Sequence, residues 1–171
     1  MHCIRSAACA LILIAGMAAS ALATTAIRPL SVGELTTRAD LVVRGSVQSV
    51  QSFQDGDRIF TNIDVNVVET WKGEIEPVTV RVRVYGGSAG GYRTIVMGAP
   101  CWDLGEEAVL FLVANGPGTF DVLSLSEGKF HLAAGGNVER DLTGIAFAQP
   151  SLEPMPTTVN ELKSAVIAAL R

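Results

Sequence analysis

The sequence predicts a mainly β domain, a closed or partly open antiparallel barrel with a short helix before it and a second helix at its C-terminal end. Three observations carry this. Residues 58–85 alternate as two strands: Ile59, Thr61, Ile63, Val65 and Val67 oppose Asn62, Asp64 and Asn66, then Val78, Val80, Val82 and Val84 oppose Thr79, Arg81, Arg83 and Tyr85. Successive strand side chains point to opposite sides, so each segment is half buried and half wet. Residues 108–113 are almost wholly apolar and read as a strand buried on both sides. Gly45 interrupts an earlier strand, and Val47 and Val50 do not share a parity, which predicts the bulges that small barrels use. A valine face of this kind needs further strands or a second layer to cover it.

The chain has 171 residues, enough for one domain with a core. Its first 23 residues predict a signal peptide: Arg5 precedes an apolar run over 7–19, and Ala21-Leu22-Ala23 is a small-x-small cleavage pattern. That run is too short and too rich in alanine for a span of roughly 20 apolar residues. Cys9 precedes the apolar run and so does not read as a lipoprotein cysteine. Cleavage after Ala23 removes Cys3, Cys9 and His2, and leaves 148 of the 171 residues with one cysteine, Cys101, and one histidine, His131. An intrachain disulfide is then impossible, although export into the periplasm or beyond the cell would permit one. Losing Arg5 takes the net charge from −4 to −5. A mildly acidic domain without a basic run argues against nucleic acid and anionic membrane surfaces, and no later segment reads as a membrane span.

The barrel domain is expected over residues 24–148, with a proline-containing linker and a helix packed on it over 149–171. Residues 24–29 read as an extended lead-in. Ser31-Val32-Gly33-Glu34 is a capping box, with Leu30 and Leu35 placed as a hydrophobic staple, so a helix to about Ala39 follows. Its expected role is to plug one end of the sheet. Residues 40–53 are the first long strand, and 54–57 a turn with an Asp-Gly hairpin signal. The turn at Trp71-Lys72-Gly73-Glu74 joins the next two strands. Residues 86–91 read as a flexible glycine loop, 92–97 as a fourth strand, and 98–107 as a second loop. Asn115-Gly116-Pro117-Gly118 is a turn. Residues 119–125 and 128–132 read as a hairpin, and 138–141 as a last short strand. Thr158-Val159-Asn160-Glu161 reads as a second capping box, and Val159, Leu162, Val166 and Leu170 make an apolar stripe at helical spacing.

No catalytic motif stands out. The sharpest enzyme reading is a thiol hydrolase or transferase using Cys101 with His131, since any hydrolase here must use the one remaining imidazole. The plain structural alternative is an exposed strand histidine and a small buried thiol. One His and one Cys without metal spacing argue against zinc, and Asp55, Asp57 and Asp64 lack the register of a calcium loop. No cofactor is expected. The glycine loop lacks the ending of a phosphate loop and opens no helix. The acidic pair Glu106-Glu107 beside an apolar strand offers groups for acid–base work, but a solvated strand entrance is the commoner reading. The stronger functional candidates are binding residues: Tyr92 with Gly87 and Gly90 in the glycine loop, and Trp102 in the next loop. Loops on a rigid scaffold concentrate binding residues, and Trp and Tyr are favoured anchors. Trp102 as a cap on the core is the alternative.

The run Ala39-Asp40-Leu41-Val42-Val43-Arg44-Gly45-Ser46-Val47 resembles the opening strand of the netrin-like domains, which include the tissue inhibitors of metalloproteinases. Residues 61–68, then Glu69-Thr70-Trp71-Lys72-Gly73 and a valine strand, then Gly105-Glu106-Glu107 leading into Ala108-Val109-Leu110-Phe111-Leu112, follow the same order. The string also resembles a group of uncharacterised exported bacterial proteins. The resemblance covers about half of the mature chain and implies an OB-type five-stranded barrel. The metalloproteinase inhibitors place a cysteine at the mature N-terminus and carry several disulfides, whereas the new terminus here is Thr24. The inhibitory residue has no counterpart, so the resemblance implies at most binding to a protein, protease-associated in that family. The expected function is therefore an exported, non-catalytic binding or accessory domain for a protein or peptide.

Overall fold

The computed structural model describes residues 24–26, 28–75, 78–151 and 153–171. The signal peptide expected over 1–23 lies outside the described residues. The elements are β1 (Thr24–Ala26), α1 (Val32–Arg38), β2 (Leu41–Asp55), β3 (Arg58–Lys72), β4 (Thr79–Tyr85), β5 (Gly87–Ala89), β6 (Tyr92–Thr94), β7 (Glu107–Ala114), β8 (Thr119–Val122), β9 (Lys129–Leu132), β10 (Val138–Glu139), β11 (Ile145–Phe147) and α2 (Val159–Ala169).

The protein is mainly β, with a partly closed barrel at its centre. β2, β3 and β4 form an antiparallel meander, and β7 pairs with the other side of β2. β8 pairs antiparallel with β7 and parallel with β4, which closes a ring through β2, β3, β4, β8 and β7. The closing contact is short: Arg81 faces Thr119 and Val82 faces Phe120, and there it stops. β9 and β10 extend the sheet beyond β7. The expected irregularities lie where parity predicted them, with register shifts between Arg44 and Gly45 and between Val47 and Ser49. At Gly45 an added Cβ would collide with the Asn66 carbonyl oxygen, so only glycine lets β2 coil this tightly over β3.

Two apolar cores share the barrel wall. Inside the ring lie Leu41, Val43, Val47, Ile63, Val65, Val80, Val82, Leu110 and Leu112. On the outer face, Val42, Val109, Phe111 and Phe130 pack against Leu35 of α1 and Leu162 and Val166 of α2. α1 therefore lies on the outer face beside α2 instead of plugging a barrel end. Its capping box forms: the Glu34 N–H donates to Ser31 Oγ at 3.2 Å, and the Ser31 N–H donates to Glu34 Oε2 at 3.0 Å. The Arg28 guanidinium donates to both Glu34 oxygens at 2.7 Å and, with the Ser31 bonds, holds that carboxyl down at about 2. At α2 the box is only half made. Thr158 accepts from the Glu161 N–H at 3.3 Å, but the Glu161 carboxylate reaches one residue further back and accepts from the Thr157 N–H at 2.9 Å.

Several connections differ from expectation. Trp71 and Lys72 belong to β3, so the turn into β4 begins at Gly73. The glycine loop is a two-stranded hairpin, β5–β6, turned by Gly90-Gly91, and β6 ends at Thr94 without joining the barrel. A Gly-Gly pair supplies the positive φ that such a turn needs, here +59° and +79°. β8 and β9 are not a hairpin: each pairs with a different half of β7. Between them Ser124 and Leu125 take left-handed φ of 54° and 59°, and a 3-10 turn over Leu125–Gly128 redirects the chain. The expected lead-in at the N-terminus pairs as β1, in parallel, with β11.

Candidate functional site

The chain between β4 and β7 builds one end of the barrel. Four of the ten large apolar side chains exposed among the described residues come from this stretch, Tyr92, Ile95, Met97 and Leu104, and a fifth, Tyr85, ends β4 beside it. Pro100, Cys101 and Trp102 form a ridge there, with a groove on one side and a polar cleft on the other.

The groove holds about 550 Å³ between the β5–β6 hairpin and the barrel, lined by Val50, Ser52, Thr61, Val84, Ile95, Val96 and Trp102 among others. It runs on past Tyr85, Val96 and Pro100 into a hollow of about 250 Å³ that Arg83, Asp121, Val122 and Leu125 complete. The hollow has a topological cause. β4 and β8 part after the Val82–Phe120 pair, so the β4 edge from Arg83 to Tyr85 has no strand partner on that side among the described residues. Gly87 lies at the closest approach of hairpin and barrel, because any Cβ there would strike the hydroxyls of Ser52 and Thr61. Thr61 Oγ1 also donates to the Gly86 carbonyl at 2.8 Å, fastening the hairpin root. Gly90 sits at the hairpin tip over Gln54. Tyr92 stands out from the same hairpin, 72% exposed, and does not line the groove. Trp102 has two roles in the packing: it rests against the barrel-interior core and lines the groove. The Lys129 ammonium lies 4.5 Å from its ring centre, a favourable cation–π placement. The structure thus brings Trp102 and Gly87 to one groove, with Cys101 on its ridge, and leaves Tyr92 and Gly90 outside its lining.

The polar cleft, about 500 Å³, is where Cys101 and His131 meet, in company with Asp103, Glu106, Ser126, Lys129 and Arg140. Cys101 is exposed, and its sulfur makes no hydrogen bond among the described residues. Glu106 organises the cleft. Its side chain is 7% exposed, pairs with Lys129 Nζ at 2.7 Å and meets His131 Nδ1 at 2.9 Å. Lys129 Nζ also donates to the Cys101 carbonyl. Glu106 is thus no solvated strand entrance, although its neighbour Glu107 is half exposed and pairs with Arg44. Lys129 and Ser126 were not singled out by sequence reasoning, and Glu106 was noticed only as half of an acidic pair. One signal was present: Lys129 and His131 share a parity opposite Phe130, which marks a polar face on that strand.

Burial pushes the Glu106 carboxyl up, but the Lys129 bond and charge, the His131 contact and the Asp103 N–H outweigh this and hold it below the usual carboxylate range. A carboxyl depressed in the folded state stabilises the fold fully above its unfolded value near 4.5, and the contribution is lost as pH falls through the folded value. Acid unfolding of the wild type is therefore expected to begin below pH 4.5, with a smaller pH slope there in Glu106→Gln once its lower stability is subtracted. Urea midpoints measured from pH 7 down to pH 3 check this.

Among the described residues no cluster of three or more His, Cys, Asp or Glu is arranged to hold a metal ion, and no helix is long and apolar enough to cross a membrane. No family model matches the chain, and no curated protein matches it.

Proposed function

We propose that this is an exported, non-catalytic binding domain that receives an extended segment of a protein or peptide along the groove beside Trp102. The observation that carries the reading is the open seam: an apolar groove runs into a hollow where the β4 edge lacks a partner, in the stretch richest in exposed apolar side chains. An unpaired strand edge is a template for an added strand, with main-chain bonds supplying affinity and alternate side-chain pockets supplying selectivity. Patches of exposed apolar surface on a soluble domain are characteristic of contact sites. The order of the ring, closed by a parallel contact, supports an OB-type barrel and with it the netrin-like resemblance. Export rests on the leader pattern over residues 1–23, and a protease-associated partner rests on the resemblance alone.

The test is an array of unstructured peptides with alternating apolar residues, probed with the labelled protein. Ile95→Asp and Trp102→Ala are expected to lower binding at least about tenfold, the loss of one good anchor. Ile95 is 68% exposed, so its variant should keep the wild-type melting temperature. Tyr92→Ala should bind less tightly only to peptides long enough to pass the hairpin. Equal capture by wild type and Ile95→Asp would remove the groove as the site. N-terminal sequencing of the secreted protein, beginning at Thr24, would support export, and an intact leader would exclude it.

A further inference from the structure

We propose that Cys101 is a site of thiol–disulfide exchange, and that the polar cleft beside it admits a small amine-bearing disulfide of the cystamine or cystine type. This lies on the other side of the ridge from the peptide groove and does not rest on the binding reading.

Three observations set this thiol apart from a chance surface cysteine. Ser126 lines the cleft, is 4% exposed, and its hydroxyl has no hydrogen-bond partner among the described residues. Such a group gains free energy when a polar ligand atom comes within hydrogen-bond reach of it. Second, the Glu106 carboxylate can only accept a hydrogen bond, so His131 Nδ1 donates to it at 2.9 Å. In the neutral ring that bond leaves Nε2 as the proton acceptor on the same half-exposed imidazole. Third, the cleft has surplus negative charge. Its cations Lys129 and Arg140 are each held by a buried glutamate, whereas Asp103, Glu139 and Asp141 have no ion-pair partner among the described residues. A cation is therefore favoured over an anion there.

The exchange balances without any further reagent. His131 Nε2 takes the Cys101 S–H proton, through one water or after rotation of the cysteine side chain. The thiolate attacks one sulfur of R–S–S–R, that S–S bond breaks, and Cys101–S–S–R forms. The leaving thiolate R–S⁻ takes the proton back and departs as R–SH. The incoming disulfide is the oxidant, and the leaving thiol carries its two electrons. Cys101 is the one cysteine among the described residues, so no second thiol there resolves the product and the mixed disulfide persists.

The purified protein is incubated at pH 7 with cystamine, a dication, or with dithiodipropionate, a dianion. An unstructured cysteine peptide serves as reference, and peptide mapping by mass spectrometry locates the adduct. Relative to the reference peptide, Cys101 is expected to react at least about tenfold faster with cystamine than with dithiodipropionate, a preference that shrinks in high salt. His131→Gln is expected to slow the cystamine reaction at least about tenfold with an unchanged melting temperature, because the ring is a surface group. Ser126→Ala should slow it further than its small effect on stability explains. Equal rates for wild type and His131→Gln, or no charge preference over the reference peptide, would overturn the proposal.

Discussion

Glu127→Ala is expected to cost about 3–5 kcal/mol of unfolding free energy, a large share of the about 5–15 kcal/mol that such a domain possesses. Glu127 and Arg140 form an ion pair with side chains 3% and 5% exposed. The carboxylate accepts from the Leu30 N–H at 2.6 Å, from the Ser124 hydroxyl at 2.8 Å and from Arg140 Nη2 at 3.2 Å. Arg140 Nη1 donates to the Leu30 carbonyl at 3.0 Å, and the guanidinium lies over the Phe130 ring at 5.0 Å. Burial draws the arginine pKa down, opposed by the Glu127 charge. Removing the glutamate leaves an uncompensated cation and an orphaned amide in the interior. Glu127→Leu combined with Arg140→Met should recover much of the loss, because an apolar pair of similar volume needs no compensating charge. Urea unfolding of the three variants checks this. A loss below about 1 kcal/mol in Glu127→Ala, the range of solvated pairs, would show that the clamp is hydrated in solution.

Phe111→Ala is expected to cost about 3–5 kcal/mol, by lost transfer energy and by the cavity left behind. Phe111 is fully buried on the outer face of β7, its ring 5.7 Å from that of Phe130, under Leu162 and Val166 of α2. Neighbouring Leu110 points into the barrel, so Leu110→Ala should cost about 2–5 kcal/mol by the same mechanism in the other core. The two differ in where the damage spreads. Amide exchange in α2 should accelerate strongly in Phe111→Ala and little in Leu110→Ala, since only the outer core anchors the helix. Uniform acceleration in both would show that the two cores melt as one.

Much of this architecture was legible because burial leaves a period-two trace. The alternation in β3 and β4, the doubly apolar β7, the glycine bulge at Gly45 and the Ser31 capping box are all local patterns that a chain of residues displays directly. What was illegible involves partners far apart in sequence. Glu127 meets Leu30 across 97 residues and Lys129 meets Glu106 across 23, and no spacing rule anticipates such pairs. Reading β8 and β9 as a hairpin failed for a related reason: proximity in sequence favoured pairing them, but β7 offers an edge long enough for both. The meeting of Cys101 and His131 in one cleft was conjectured from scarcity of reactive groups, whereas the Glu106 contact that orients the imidazole was not foreseen. The groove was half foreseen, since glycine and aromatic residues marked the loops, while the seam that opens it follows from where β8 stops pairing with β4.

The shared wall between the two cores has a consequence for how the strands find their alignment. In most half-wet sheets, slipping by one residue drives polar groups inward, and that penalty enforces the correct match. In β2 and β7 both sides are dry at Val42, Val43, Leu110 and Phe111, so a slip there would exchange one oily surface for another and the usual penalty is missing. Alignment has to be keyed by singular features instead. The collision that any side chain at position 45 would meet locks one stretch, and the Ala114 N–H donating to Asp40 Oδ2 at 2.8 Å latches the far end. A few idiosyncratic contacts thus carry information that, in an ordinary sheet, water would supply.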